Sequence, residues 1–237
     1  MGRAGQKTAL VAGATGLVGS ACVRHLLHGS PFDRIIAVGR HPPPIRDARL
    51  EVRVAGLDAL DAVDLPAVDT AFCALGTTIA NAGSQDGFRR VDHDGVVAFA
   101  RRAARASARH FVLVSSVGAD ASSSNFYLRV KGETEQAISA VGFRGVSILR
   151  PGLLVGERAE SRPAEAVARA VVPLANPLLV GPLRRYRSID ADTVGAAMVG
   201  AALSGESGVR IIEYDDMVAL SRAALRLTAR GPYTPTP

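Results

Sequence analysis

The sequence has few of the features that stabilise secreted proteins or anchor a chain in a membrane. Its two cysteines, Cys22 and Cys73, show neither CxxC nor metal-ligand spacing, so we expect free, buried thiols in a reducing compartment. No apolar stretch of signal-peptide length precedes the first strand-like segment. The most apolar later region, residues 166–183, is interrupted by an arginine and three prolines. We therefore predict a cytoplasmic protein that is neither secreted nor membrane-spanning.

The composition is that of a soluble globular chain with excess positive charge. The 237 residues are 48% hydrophobic and 21% charged, which suffices for one large core. The formal net charge of +6 can attract nucleic acid, an acidic membrane surface or a phosphorylated ligand, and does not choose among them. Four arginines cluster on one face of a predicted helix, where we expect a solvated surface and no nucleic-acid site. They are Arg101, Arg102, Arg105 and Arg109.

Short apolar runs alternate with helical stretches along the first 150 residues. Because the runs are continuously apolar, they indicate strands of a parallel sheet whose two faces are both covered by helices. The sequence predicts an α/β fold, a Rossmann-type doubly wound parallel sheet, in a single domain with a small C-terminal substrate-side extension. The predicted strands are Thr8–Ala12, Arg34–Val38, Val52–Val54, Thr70–Ala74, His110–Ser115 and Val146–Leu149, and the predicted helices are Leu17–His28, Gly87–Ala106 and Tyr127–Ala140.

The pattern is weaker beyond Pro151, in the part that we expect to form the substrate side of the cleft. We place the domain at residues 7–230, its substrate side at about 150–230, and disordered ends at 1–6 and 231–237. Asp190 or Asp192 is expected to cap a helix. The predicted elements of this part are helices at Pro163–Val172, Ala191–Leu203 and Asp215–Ala229, and a Pro/Arg-rich loop at Asn176–Arg187.

A glycine-rich turn follows the first predicted strand. Residues 13–19 have the sequence GATGLVG, a GxxGxxG pattern that opens a helix. Gly13 allows the tight turn, Gly16 lets the backbone approach a pyrophosphate, and Gly19 lets the helix pack closely on the strand. The free N–H groups and the dipole of the helix N-terminus favour an anion there. This placement predicts a dinucleotide-binding turn rather than an ordinary tight turn.

The residues after the second strand indicate which dinucleotide binds. NAD-selective folds usually place an acid there to accept a hydrogen bond from the ribose 2′-hydroxyl, whereas this chain has Val38-Gly39-Arg40-His41. The Arg40 guanidinium can pair with a 2′-phosphate through two hydrogen bonds, and His41 can add a donor. We therefore predict NADP(H) as the cofactor. The alternative is that Arg40 is a solvated loop charge.

A tyrosine and a lysine lie four residues apart after the fifth strand. Tyr127 and Lys131 share one face of the predicted helix, so both can enter the cleft. The chain has four tyrosines and only two lysines, Lys7 and Lys131, so chance rarely gives this spacing. An ammonium group can lower the pKa of a neighbouring phenol and also donate to ribose hydroxyls. The alternative is a surface tyrosine and lysine without such a task.

These motifs together resemble the short-chain dehydrogenase/reductase superfamily. The glycine-rich turn, a strand-end serine and the YxxxK pair occur in the family's order over about residues 7–155. The likeness is closest to the atypical branch around the Tat-interacting protein TIP30 and related bacterial NAD(P)H-binding oxidoreductase-like proteins. The matching segments are CALGTT at 73–78, VDHD at 91–94, SSVGAD at 115–120, SSNFYLRVKGE at 123–133, RPGLL at 150–154 and ESRP at 160–163.

The resemblance implies roles for individual side chains. Tyr127 acts as general acid or base at a carbonyl or alcohol oxygen, while Lys131 tunes it and holds the nicotinamide ribose. Either Ser115 or Ser116 bonds the reacting oxygen; neighbouring strand residues face opposite sides, and we favour Ser116. The implied cofactor contacts are Thr15, Gly16, Leu17 and Val18 at the diphosphate, Arg40 and His41 at the adenosine end, Leu75 and Gly76 along the adenine or ribose, and Leu154 and Arg162 elsewhere along the cofactor. For Arg162 a solvated surface position is the alternative.

The sequence also departs from the broad family. It has LGTT where an NNAG-type segment is common, and it offers no clear partner for the asparagine of the usual catalytic tetrad. Two functions therefore stay open: an NADP(H)-dependent oxidoreductase acting on a small carbonyl or hydroxyl substrate, and an NADPH-binding regulatory protein with a protein partner and little or no turnover. The five histidines lack ligand spacing, so we propose no metal.

Overall fold

A seven-stranded parallel sheet forms the centre of the molecule, seen in a computed structural model that describes residues 6–156 and 179–228. Its strands are β1 (Thr8–Ala12), β2 (Arg34–Gly39), β3 (Leu50–Val54), β4 (Thr70–Cys73), β5 (His110–Val114), β6 (Gly145–Leu149) and β9 (Gly208–Ile212). Their order is β3-β2-β1-β4-β5-β6-β9, so the sheet grows in opposite directions from β1 and β4. Ligands of such folds bind where the strand order reverses, beyond the carboxyl ends of the strands. A separate parallel pair joins β7 (Leu154–Val155) to β8 (Ile189–Asp190).

Helices cover both faces of the sheet. Because successive strand residues point to opposite faces, each strand contributes to two separate cores. The helices are α1 (Leu17–Leu27), α2 (Ile79–Ala82), α3 (Gln85–Arg89), α4 (Val96–Arg105), α5 (Phe126–Ser139), α6 (Ala191–Ser204) and α7 (Tyr214–Thr228). One core packs α1, α6 and α7 against Val11, Phe72 and their neighbours, and the other packs α4 and α5 against Leu10, Phe111 and theirs.

Helix α6 lies close against both of its helical neighbours. A Cβ atom added at Gly195 would lie 2.6 Å from the Ala21 Cβ of α1. A Cβ atom added at Gly200 would lie 2.4 Å from the carbonyl oxygen of Leu220 in α7. Only glycine fits these two crossings, so α6 joins the first helix of the chain to the last described one. In the described ranges, no helix has the length and apolar character needed to cross a membrane.

The predicted fold class is confirmed, and most predicted elements agree with the structure to within two residues. The prediction missed β9, the short pair β7 and β8, and helix α2. The single helix predicted over Gly87–Ala106 is instead α3, a π-helical turn at Arg90–Gly95, and α4. The predicted loop at 176–187 contains a 3₁₀ turn over Gly181–Tyr186 in its described part. The predicted helix at 163–172 and, apart from Gln6, the predicted disordered ends lie outside the described residues.

Candidate functional site

The glycine-rich turn joins β1 to α1 where the strand order reverses. Gly13 has a φ of +81°, and a Cβ atom there would lie 2.4 Å from the carbonyl oxygen of Ala74. At Gly19 a Cβ atom would lie 2.0 Å from the carbonyl oxygen of Gly13, so both positions require glycine. Gly16 caps α1 without a side-chain hydrogen bond, and the first turn has no acidic residue. The N–H groups at this end therefore stay available to an anion.

A cavity of about 670 Å³ opens beside this turn. Its lining comes from the start of α1, from the segments after β4 and β5, from α5, and from the segment around β7. Most of the predicted site residues meet here: Gly16, Leu17, Val18, Leu75, Gly76, Ser115, Ser116, Tyr127, Lys131 and Leu154 all line the cavity. The structure thus brings the glycine-rich turn and the tyrosine–lysine pair to one space, although more than 100 residues separate them in the chain.

Helix α5 positions the tyrosine and the lysine. It starts after Asn125, whose side chain accepts a hydrogen bond from the Leu128 N–H at 3.2 Å. Tyr127 and Lys131 are one turn apart, with the Lys131 Nζ 6.0 Å from the centre of the Tyr127 ring. The fully buried Phe88 of α3 packs on that ring with a centroid separation of 5.4 Å. These contacts direct both side chains into the cavity.

The structure adds a residue that the sequence analysis did not assign to the site, Asp92. It lies in the π-helical turn before α4, and its side chain is completely buried. Its Oδ1 atom is 2.7 Å from the Lys131 Nζ, and its Oδ2 atom accepts a hydrogen bond from the Thr77 N–H at 2.8 Å. Its carbonyl oxygen also accepts a hydrogen bond from the Thr134 hydroxyl. In the sequence, Asp92 belongs to the VDHD segment at 91–94, which contributes to the family resemblance and gives no sign of a contact with Lys131.

Charge and burial act in opposite directions on Lys131. Burial lowers the pKa of this ammonium group, but the Asp92 carboxylate raises it, and the net result is a pKa above the usual lysine value. The nearby Cys73 lies at the end of β4, and burial raises the pKa of its thiol to about 12. Lys131 is therefore held as a buried cation, while Cys73 remains a neutral thiol at physiological pH.

The two candidate serines have different surroundings. Ser115 is buried and donates to Oε1 of Glu135 at 2.5 Å. The Ser116 hydroxyl is partly buried and lies 3.4 Å from the carbonyl oxygen of Val117. Both residues line the cavity. Since Ser115 is engaged by a carboxylate, Ser116 has the hydroxyl that is freer to bind a ligand oxygen.

Three predicted residues, Thr15, Arg40 and His41, do not line the cavity. Thr15 is exposed in the glycine-rich turn. Arg40 and His41 are exposed just after β2, at the carboxyl edge of the strand next to β1. Arg162 falls outside the described residues. Within those residues, no group of three or more His, Cys, Asp or Glu side chains is arranged to hold a metal ion.

Comparison with known proteins identifies the family. The model of a family described as NAD(P)H-binding matches residues 13–173, which is more than half of the chain. The chain belongs to this NAD(P)H-binding family. Its relatives include the protein fmp52, mitochondrial, of Aspergillus niger, 38% identical over 205 residues that cover 82% of this chain and 87% of the relative. They also include the protein HTATIP2 of Rattus norvegicus, 38% identical over 168 residues that cover 69% of each chain.

HTATIP2 is TIP30, so the predicted likeness to the atypical short-chain dehydrogenase/reductase branch is confirmed. Solved structures agree on the fold. MoeE5 in complex with UDP-glucose and NAD matches with a TM-score of 0.65 and 18% identity, covering 91% of this chain and 81% of that one. The dTDP-glucose 4,6-dehydratase DesIV of Streptomyces venezuelae, with NAD bound, matches with a TM-score of 0.64 and 20% identity, covering 92% and 80%.

The predicted cytoplasmic location is wrong by the same comparison. That prediction depended on cysteine usage and on the lack of an apolar leader, neither of which distinguishes the cytosol from the interior of an organelle. The fungal relatives of Aspergillus niger, Emericella nidulans and Eremothecium gossypii are all named mitochondrial proteins.

Proposed function

We propose that this protein is an NADP(H)-dependent oxidoreductase of the short-chain dehydrogenase/reductase class that acts on a small carbonyl or hydroxyl substrate. The observation that carries the proposal is the convergence of the α1 N-terminus and the Tyr127–Lys131 pair on one cavity. One end of that cavity suits a diphosphate, and the other has a phenol next to a buried ammonium group. This is the combination that a dinucleotide-dependent proton and hydride transfer needs.

The residues around the cavity fit a dinucleotide. The space beside the Gly16 Cα is open, because a Cβ atom there would meet only the Gly13 carbonyl oxygen, at 3.4 Å; the Gly16 N–H itself donates to that oxygen at 3.0 Å. Gly16, Leu17 and Val18 would hold the diphosphate through the uncapped end of α1. Leu75, Gly76 and Leu154 would contact the rest of the cofactor, with Lys131 at the nicotinamide ribose. When bound, the cofactor supplies or accepts the hydride.

The chain itself supplies proton transfer and orientation. In reduction, the Tyr127 hydroxyl gives its proton to the carbonyl oxygen while the carbon receives the hydride; in oxidation, the phenolate takes the alcohol proton. Ser116 donates a hydrogen bond to the same oxygen and fixes its position. Lys131 contributes a fixed positive charge 6.0 Å from the centre of the Tyr127 ring.

The preference for NADP(H) over NAD(H) is supported by the exposed cations after β2. Arg40 and His41 are exposed, and none of the ion pairs among the described side chains includes them, so their donors would be free for a 2′-phosphate. Titration of the purified protein with both reduced dinucleotides tests this preference. We expect tighter binding of NADPH, and equal or tighter binding of NADH would overturn it.

Substitution of Tyr127 by Phe tests the proposed chemistry. We expect Tyr127→Phe to lower turnover by about 10²-fold or more, since the proton donor is lost, and to leave the NADPH affinity unchanged. Tyr186→Phe is a matched control, because Tyr186 is an exposed tyrosine outside the cavity. Turnover of Tyr127→Phe at the wild-type rate would refute the mechanism.

The second candidate is an NADPH-binding regulatory protein that contacts a protein partner. It is supported by the likeness to TIP30 and by the departure from the broad family, in that the chain offers no clear partner for the asparagine of the usual catalytic tetrad. A broad screen of carbonyl and alcohol substrates separates the two candidates. Cofactor oxidation with any substrate supports the enzyme, whereas tight NADPH binding with no oxidation supports the regulatory protein.

A further inference from the structure

A buried ion pair stands between the cavity and the π-helical turn. The Lys131 ammonium and the Asp92 carboxylate are 2.7 Å apart, with 9% and 0% of their side chains exposed. The second Asp92 oxygen is fixed by the Thr77 N–H. Gly76, next to Thr77 in the chain, lies so close that a Cβ atom there would be 3.4 Å from Asp92 Oδ1 and 3.8 Å from Lys131 Nζ. The pair is therefore held from three elements: the turn, α5 and the loop after β4.

Asp92 is the counter-ion of Lys131 among the ionisable groups that face it in the described part of the chain. The ionisable groups that face Lys131 in the described part of the chain are Asp92, Tyr127 from α5, and Cys73 from the end of β4. Cys73 is a neutral thiol at physiological pH, because burial raises its pKa to about 12. An ammonium group buried without an anion loses its proton or destabilises the fold. Asp92 thus accounts for a charged lysine at this depth.

A π-helical turn places the Asp92 side chain against Lys131. The turn at Arg90–Gly95 is π-helical, and α-helices flank it on both sides. Such bulges change which side chains a helix presents to its neighbour, and they are frequent at functional sites. Here Asp92 is buried, while Asp94 two residues later is 60% exposed and contacts His93.

We propose that Asp92 is a positioning residue that keeps Lys131 protonated and fixed beside Tyr127. Its catalytic consequence rests on the proposed function, but the ion pair itself does not. Asp92 acts through Lys131, without contact to a substrate. With Asp92 in place, Lys131 stays charged throughout the physiological pH range. Without it, the largest attraction that opposes the effect of burial is lost, and Lys131 loses its proton as the pH rises through a lower pKa.

The lysine content of the chain allows a direct measurement. Only Lys7 and Lys131 are present, so selective ¹³Cε-lysine labelling gives two NMR signals, and Lys7 is exposed and serves as an internal reference. We expect Asp92→Asn to lower the titration midpoint of Lys131 by about two pH units. The Lys7 midpoint should not change. Asp94→Asn, two residues away in the same turn, is the matched control and should leave both midpoints unchanged.

A folded Asp92→Asn variant with the wild-type Lys131 midpoint would overturn the proposal. If that variant does not fold, the double variant Asp92→Asn, Lys131→Met keeps the test decisive, because it removes both charges. We then expect the double variant to fold and to unfold cooperatively on heating, because no unpaired charge stays buried. A double variant that also fails to fold would overturn the pairing.

Cofactor binding supplies a separate readout. In Asp92→Asn we expect the NADPH affinity to fall as the pH rises through the lowered Lys131 midpoint, whereas the wild-type affinity should not change over that range. If wild-type protein binds no pyridine nucleotide, the proposed function fails, but the lysine titration still decides the role of Asp92. An NADPH affinity with the same pH dependence in both proteins, despite a shifted Lys131 midpoint, would refute a role for Asp92 in cofactor binding.

Discussion

The Arg150 guanidinium binds both oxygens of the Glu135 carboxylate, with Nε 3.0 Å from Oε1 and Nη2 2.5 Å from Oε2. Ser115, on the cavity wall, donates to the same carboxylate. Because Glu135 is buried, its removal leaves the guanidinium and the serine hydroxyl without their partner. We predict that Glu135→Ala lowers the free energy of unfolding by about 3 kcal/mol, measured by urea denaturation.

Glu133→Ala on the same helix is the control for that prediction. Glu133 pairs with Arg89 and Arg129 at positions that are 28–41% exposed. Because water replaces much of these contacts, its loss should cost about 1 kcal/mol or less. Equal losses for the two variants would mean that the Glu135 pair adds no more stability than a surface pair.

Alanine at Gly16 should separate cofactor binding from folding. Gly16 has no positive φ, and an added Cβ atom meets only the Gly13 carbonyl oxygen at 3.4 Å. We predict that Gly16→Ala folds with a stability loss of about 1 kcal/mol or less. The methyl group would stand between the α1 N–H groups and the diphosphate, so NADPH affinity should fall about tenfold or more in calorimetry. Wild-type affinity in this variant would place the diphosphate elsewhere.

Arg40 should determine the choice between the two dinucleotides. We predict that Arg40→Ala weakens NADPH binding about tenfold, because a charge-assisted hydrogen bond to the 2′-phosphate is lost. NADH binding should stay within twofold of wild type. Arg46→Ala removes another exposed arginine of the same loop and should change neither affinity. Parallel weakening of both dinucleotides by Arg40→Ala would argue against a 2′-phosphate contact.

His110 should make the fold sensitive to mild acid. It is buried at the start of β5, where its Nε2 atom lies 2.9 Å from the Ser147 hydroxyl. Burial lowers its pKa below 6.5, and the nearby Glu206 opposes that effect only in part. As the pH falls through 6.5, the unfolded chain takes up a proton that the folded chain resists, so folded-state stability decreases.

We predict that wild-type protein loses melting temperature between pH 7 and pH 5 and that His110→Gln loses less over the same range. The exposed His28 provides the control, since His28→Gln should keep the wild-type pH dependence. The same loss in His110→Gln and wild type would assign the acid sensitivity to other groups.

The central strands could be predicted because their residues are buried on both faces of the sheet and are therefore mostly apolar. Leu10 and Val11 are both fully buried, each in a different core, so β1 is apolar from Ala9 to Ala12. The glycine-rich turn could also be predicted, since Gly13 and Gly19 face backbone atoms that leave no room for a side chain. These features depend on local chain geometry, which the sequence expresses directly.

Strand β9 and Asp92 were missed for a different reason. Strand β9 is at the edge of the described sheet and pairs only with β6, and its Val209 and Ile211 are 53% and 38% exposed, so it lacks the continuous burial of the central strands. The role of Asp92 depends on Lys131, which lies 39 residues further along the chain. Nothing in a helix-like segment shows that a π-helical turn will direct one of its two aspartates inward. Both features arise from tertiary contacts.

The tight crossings of α6 have a consequence for how such proteins diversify. Gly195 lets α6 pack closely on α1, the helix that starts at the glycine-rich turn, and Gly200 lets it pack closely on α7. If recombination with a relative of different specificity replaces the chain from α6 onward, the new α6 must therefore also fit against α1. Substitutions in α1 and α6 are therefore coupled. In a chimera whose junction precedes α6, we expect the melting temperature to depend on how closely the new α6 packs against α1.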